Sequence, residues 1–264
     1  MLKTPCLLAL AAAPFLAGAT SPAAATLTAS GDSKAKYEPI EYKTRDKHVV
    51  HAEFYAPRKK GRAPAVLLVH DAGSDARQLA GVAENLQRKG FAVLVPDLRG
   101  HGESVTPDWD WTKLENEEDK AQAWTFTMRD LESSTDWLRE QDSVHNSNLS
   151  VVGIGAGSVL AARYAARDEN ARAVALIAPE PEAFGFNMLQ DIIELGGLPV
   201  MIMATDKAEQ EAVRISNASA KANDGFEYVV YQRLNPKDEG DVLSDRRLNS
   251  ELFKFLAEQA MPER

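Results

Sequence analysis

Short, unbroken apolar runs, spaced by stretches of helical period, constrain this chain more than any other feature. Ala65 to His70 reads AVLLVH, Phe91 to Pro96 reads FAVLVP, and Leu149 to Ile154 reads LSVVGI. Runs of this length with little polar alternation fit strands covered on both faces. Between them, Arg77 to Lys89, Asp119 to Gln141 and Ala156 to Arg167 carry the helical pattern, and Gly90 supplies a stop signal. The same rhythm continues in Ala173 to Ile177 and Pro199 to Ala204 as strands, with a short helix at Asn187 to Glu194 between them. A helix at Lys207 to Ala222, a strand at Phe226 to Tyr231 and a helix at Arg246 to Gln259 complete it. Upstream, Ile40 to Thr44 and Val49 to Tyr55 read as a strand pair about the charged turn Arg45-Asp46-Lys47. Strands alternating with helices predict an α/β fold: one domain, with a mostly parallel sheet of about eight strands flanked by helices. With 44% apolar and 26% charged residues, 264 residues suffice for one such domain with a full core.

The first 25 residues read as an address. Lys3 precedes an apolar stretch from Leu7 to Leu16, and small residues follow at Ala17-Gly18-Ala19 and Ala23-Ala24-Ala25. That order predicts a secretory signal peptide cleaved after Ala25, with Ala19 as the second site, and export to the periplasm or beyond. The apolar run is too short for a membrane span, so the mature chain is not expected to be an integral membrane protein. The single cysteine, Cys6, precedes both cleavage sites, which leaves no thiol or disulfide in the mature chain. Residues 26–36 read as a linker, and residues 37–264 as the domain. A net charge of −9 disfavours nucleic acid as a partner.

Three motifs give the domain a family likeness. Val69-His70-Asp71-Ala72-Gly73 follows the first buried strand, and Pro96-Asp97-Leu98-Arg99-Gly100-His101-Gly102-Glu103-Ser104 follows the second. Gly153-Ile154-Gly155-Ala156-Gly157 spans a strand-to-helix turn. In order and spacing these resemble the alpha/beta-hydrolase fold, nearest its small carboxylesterase and dienelactone-hydrolase-like branch, from about Tyr37 to the C-terminus. Ala178 to Leu198 leaves room for a cap of one short helix only.

The resemblance implies a nucleophile at the centre of the turn, a histidine before the last helix and an acid after the seventh strand. At the centre stands Gly155, which carries no nucleophile and accepts the strained backbone without penalty. No histidine follows His145, and Glu239 takes the histidine's place in the frame Glu239-Gly240-Asp241-Val242-Leu243. A carboxylate is a weak base for a serine hydroxyl. Asp206 is the acid candidate, with no histidine to orient. The expectation is a catalytically inactive scaffold that binds a small molecule or a protein; if active, it would be a carboxylic ester hydrolase.

The pocket is expected at the C-terminal edge of the sheet, bordered by His70 and His101. By the resemblance, the amides of Ala72 and Ala156 remain as an oxyanion-hole remnant, which predicts docking of a carboxylate or phosphate there. Two alternatives stand beside this. Ser158, in the first turn of the helix, could be a relocated nucleophile or a satisfied helix N-terminal residue. Trp109 and Trp111, flanked by Asp108 and Asp110, could form a sugar-stacking or partner-binding platform, or pack under the long helix. Trp124 and Trp137 read as core, and Glu115 to Asp119 as a solvated helix start. Ser104 reads as a turn hydrogen-bonder and Ser74 as a cap for the helix near Arg77. No spacing in the chain matches a metal or cofactor motif.

Overall fold

The computed structural model describes residues 36–222, 225, 228–237 and 241–260. The expected signal peptide and all of the linker but Lys36 lie outside the described residues, as does Glu239.

Strands β1 (Glu38–Lys43) and β2 (Val49–Tyr55) open the domain, followed by β3 (Ala63–Val69), helix α1 (Ala80–Lys89) and β4 (Ala92–Pro96). The long helix α2 (Glu117–Arg139) leads to β5 (Val144–Ile154), α3 (Ala156–Ala165) and β6 (Ala171–Ile177). A two-residue hairpin, β7 (Glu182–Ala183) with β8 (Phe186–Asn187), and α4 (Met188–Glu194) come next. Then follow β9 (Val200–Thr205), α5 (Glu209–Ala222), β10 (Val229–Leu234) and α6 (Leu248–Ala260). Eight strands form one sheet in the order β1-β2-β4-β3-β5-β6-β9-β10, antiparallel only where β2 meets β1 and β4.

Alternation along the buried strands feeds two cores. In β3, Leu67 and Val69 face the layer of α2 and α3, while Val66 and Leu68 face α1 and α6. The chain leaves β3 for β4 on one side and returns to β5 on the other. The loops after β3 and β5 therefore meet at this crossing, the usual ligand position in open α/β sheets.

Gly90 ends α1 with φ of 108°, as its sequence position predicts. Asn116 caps α2 by accepting the Asp119 N–H at 2.8 Å, so the helix starts two residues earlier than its apolar period suggests. Asp75, not Ser74, caps the turn before α1: its carboxylate accepts the Arg77 N–H at 3.0 Å. β5 begins five residues before its apolar run, because Val144 pairs with Ala63 although His145 to Ser147 are exposed. β10 sits three residues later than its pattern predicts; it is a half-exposed edge strand whose place is set by pairing with β9.

The cap is small. Its hairpin turn, Phe184-Gly185, has φ of 46° and 82°, the signs a two-residue type I′ connection needs. Arg163 of α3 anchors α4 through Asp191 at 2.8 Å and lies 3.9 Å from the centre of the Phe186 ring. No helix among the described residues is long and apolar enough to cross a membrane.

Candidate functional site

β5 turns into α3 at Gly155, with φ of 56° and ψ of −128°. This is the strained corner on which a hydrolase carries its nucleophile. The flanking glycines are required by backbone contact: a Cβ on Gly153 would fall 2.3 Å from the Gly157 carbonyl oxygen, and one on Gly157 would fall 2.3 Å from that of His70. At the centre the obstacle is different. A Cβ on Gly155 would stand 2.3 Å from Oδ1 of Asp71 and 2.4 Å from its Cγ. The carboxylate of Asp71 lies in the space that a residue-155 side chain would fill.

Oδ1 of Asp71 accepts the N–H of Ala72 at 2.8 Å and the N–H of Ala156 at 2.8 Å. These are the two amides expected to bind an external anion. The structure corrects that expectation: the anion on them is the chain's own. The Asp71 N–H donates to Oε1 of Gln78 at 2.9 Å, which fixes the residue from its other side. Burial raises the Asp71 pKa, and the two amide hydrogen bonds oppose the shift. Glu180, beyond the end of β6, is raised by desolvation and then by the charge of Asp71.

His70 and His101 do not line an open pocket. They are 0% and 3% exposed. Nε2 of His70 accepts the Leu98 N–H at 3.0 Å, and its Nδ1 donates to the Asp71 carbonyl at 2.7 Å. Nε2 of His101 accepts the Gly73 N–H at 3.0 Å, and its Nδ1 donates to the Arg99 carbonyl at 3.0 Å. Each ring thus spans from one loop to the other, and together they latch the β3 loop to the β4 loop. Burial pushes both imidazoles down to about 4, so both are neutral near pH 7.

The rest of the turn after β4 is structural. Asp97 accepts the N–H groups of Ala76 at 2.7 Å and Glu103 at 2.8 Å. The Arg99 guanidinium, fully buried, meets Asp130 at 2.6 Å and Asp46 at 2.8 Å. Ser104 accepts the His51 N–H at 2.9 Å, which is its turn role.

Ser158 cannot reach substrate. It is 0% exposed, and its Oγ lies 2.9 Å from the Gly153 carbonyl oxygen and 3.2 Å from that of Ile177. The hydroxyl points back into the sheet because α3 turns this face onto β5 and β6. Asp206 is exposed at the end of β9 and ion-paired with Arg233 of β10. Trp111 packs against Trp124 at 5.4 Å and Phe184 at 5.0 Å, and Trp109 against Phe126 at 5.1 Å. Trp124 is core, and Trp137 is half-buried against Phe54 at 5.0 Å. Sequence reasoning named the Ala72 amide but missed the side chain beside it; the signal was a carboxylate placed directly after a buried strand.

Sheet order, the glycine-lined strand-to-helix turn and the paired amides define an alpha/beta-hydrolase-fold protein. The profile of the serine aminopeptidase S33 family, an alpha/beta-hydrolase family, matches residues 61–192. This is half of the chain, and the chain belongs to that family. Uncharacterized proteins of Mycobacterium tuberculosis and Mycobacterium bovis are 33% identical over 116 residues, covering 44% of this chain and 29% of theirs. The chain thus spans under a third of the length of these curated relatives. An esterase of Pyrococcus furiosus superposes with a TM-score of 0.67 at 15% identity, covering 88% of this chain and 96% of the esterase. The alpha/beta hydrolase GrgF from Penicillium does so at 0.64 and 15%, covering 85% and 99%. A hypothetical protein of Pseudomonas aeruginosa gives 0.65 and 15%, covering 86% and 95%. At such identities the likeness is one of fold.

Proposed function

We propose that this chain is an exported binding scaffold of the alpha/beta-hydrolase fold that does not carry out serine hydrolysis. One observation carries the reading: the Asp71 carboxylate occupies both oxyanion-hole amides, over an elbow centre with no side chain. Acyl transfer needs those amides for the negative charge that develops on the substrate oxygen. A fixed carboxylate already on them repels that charge and blocks its approach. The absence of any histidine after His145 supports the same conclusion. Export rests on the N-terminal sequence alone.

A fluorophosphonate serine-hydrolase probe tests the catalytic half. The purified protein is expected to stay unlabelled beside a labelled control esterase. Labelling that disappears in Ser158→Ala would overturn the reading in favour of a relocated serine. For export, N-terminal sequencing of the periplasmic form is expected to start at residue 26 or 20.

A further inference from the structure

A cavity of about 320 Å³ opens beside the turn after β4. Trp109 and Trp111, from the loop after that turn, and Phe126 of α2 form its aromatic walls. The rings are braced from behind. Trp109 meets Phe126 edge-on at 5.1 Å, and Trp111 is wedged against Trp124 and Phe184. A ligand entering here would not have to order them, which lowers the entropic cost of binding.

The polar part of the wall is acidic. Asp108, Asp110 and Asp119 all line the cavity. Asp110 is neutralised by Lys113 at 2.8 Å. Asp119 accepts a hydrogen bond from the Asn116 amide at 2.7 Å, and among the described residues neither it nor Asp108 meets a basic side chain. The basic residue of the lining, Arg99, has its guanidinium fully buried and committed to Asp46 and Asp130. An anion would therefore meet two carboxylates without a basic side-chain partner and no available cation.

A positive charge is attracted by the two carboxylates, and on Trp109 and Phe126 it would share the rings with the chain's own arginines. The Arg99 guanidinium lies 5.1 Å from the Trp109 ring centre and 5.6 Å from that of Phe126, and Arg129 lies 4.7 Å from Phe126. Aromatic faces stabilise a cation most when the site is partly desolvated. The volume is at the low end of the range for small-molecule sites, roughly 300–1,000 Å³.

We propose that this cleft binds a small organic cation of the ammonium or quaternary ammonium class, its charge met by Asp108 and Asp119 and its carbon groups by the indole walls. The inference gives the scaffold a ligand class, and it stands apart from the elbow, with which the cleft shares no residue. Labelling of Ser158 by a fluorophosphonate would overturn the scaffold and leave this inference untouched.

The purified protein is titrated with choline and with tetramethylammonium, followed by tryptophan fluorescence and calorimetry. The neutral choline isostere 3,3-dimethylbutan-1-ol, acetate and glucose serve as comparisons. Both cations are expected to saturate one site, with affinity that falls as salt rises. The neutral isostere is expected to bind at least about tenfold more weakly. Trp109→Ala is expected to weaken choline about tenfold, and Asp108→Asn about fivefold. Asp108 is exposed and unpaired, so its variant should melt as the wild type does and report on binding alone. Three results would each overturn the proposal: no saturable binding of either cation up to about 10 mM, glucose or the neutral isostere binding as tightly as choline, or unchanged choline affinity in both Asp108→Asn and Asp119→Asn.

Discussion

The carboxylate of Asp71 stands where the side chain of residue 155 would begin, 2.3 Å from the Cβ that Gly155 lacks. The two residues exclude each other's alternatives: any side chain on the elbow displaces Asp71, and Asp71 can rest on the Ala72 and Ala156 amides only while the elbow is bare. Restoring a serine is therefore not a one-residue change.

Gly155→Ser alone is expected to destabilise the fold by about 1–3 kcal/mol, through overpacking against Asp71 and the strained φ of 56°. It should gain no esterase activity. Pairing it with Asp71→Gly should recover at least about 1 kcal/mol of the loss. Urea unfolding of the four-member mutant cycle measures the coupling. Purely additive effects would mean that the two side-chain positions do not compete.

Removing the carboxylate should turn the amides outward to solvent anions. Asp71→Ala is expected to gain thermal stability in phosphate or sulfate, by about 1–3 kcal/mol at ligand concentrations well above Kd. The wild type, whose hole is filled, should show no such gain. Thermal melts in matched ionic strength with and without phosphate make the comparison, and a wild-type shift equal to that of Asp71→Ala would show that Asp71 does not hold the site.

The His70 and His101 latch sets a pH dependence with a definite sign. Both pKa values are lowered from 6.5 to about 4 in the folded protein, so between these values the unfolded chain binds more protons. The latch's stabilisation is complete above about pH 6.5 and is lost as pH falls toward about 4, by at most about 3 kcal/mol per ring. Asp130, raised to about 6 by burial, acts in the opposite direction, so the wild type must be compared with a His70→Asn/His101→Asn variant. Urea unfolding from pH 7.5 to 4.5 should show the wild-type advantage shrinking as pH falls. An advantage constant across that range would rule out the latch as the titrating element.

The Arg99–Asp130 pair has both side chains at 0% exposure. Removing one partner leaves the other charge buried alone, so Arg99→Met is expected to cost about 3–5 kcal/mol. Arg99→Lys should not rescue it, since a single ammonium cannot reproduce the fork that meets Asp130 and Asp46 together. Chemical denaturation checks both; a loss under about 1 kcal/mol for Arg99→Met would show that the pair stabilises little.

Local signals made most of the fold legible. The run from Ala65 to His70 read as a buried strand, Gly90 as a helix stop, and the glycines at 153 and 157 marked the elbow. Boundaries slipped where partners, not local pattern, decide: His145 to Ser147 are polar yet extend β5, because β3 lies alongside. The site was legible as a set of absences, a missing hydroxyl at Gly155 and no histidine after His145. The fates of Ser158, His70 and His101 were not, because which way a polar side chain turns depends on carbonyls and amides supplied by other strands.

By itself, then, the sequence determined the α/β rhythm and the glycine at the centre of the elbow, since each of these is a property of consecutive residues. The tertiary structure alone decided what stands beside that glycine. Asp71 and Ala156 are 85 residues apart and become hydrogen-bonded only because β3 pairs with β5 in parallel and brings both loops to one edge. Long-range pairing of this kind leaves no mark on local composition, and it is what set a carboxylate on the two amides that the sequence suggested were vacant.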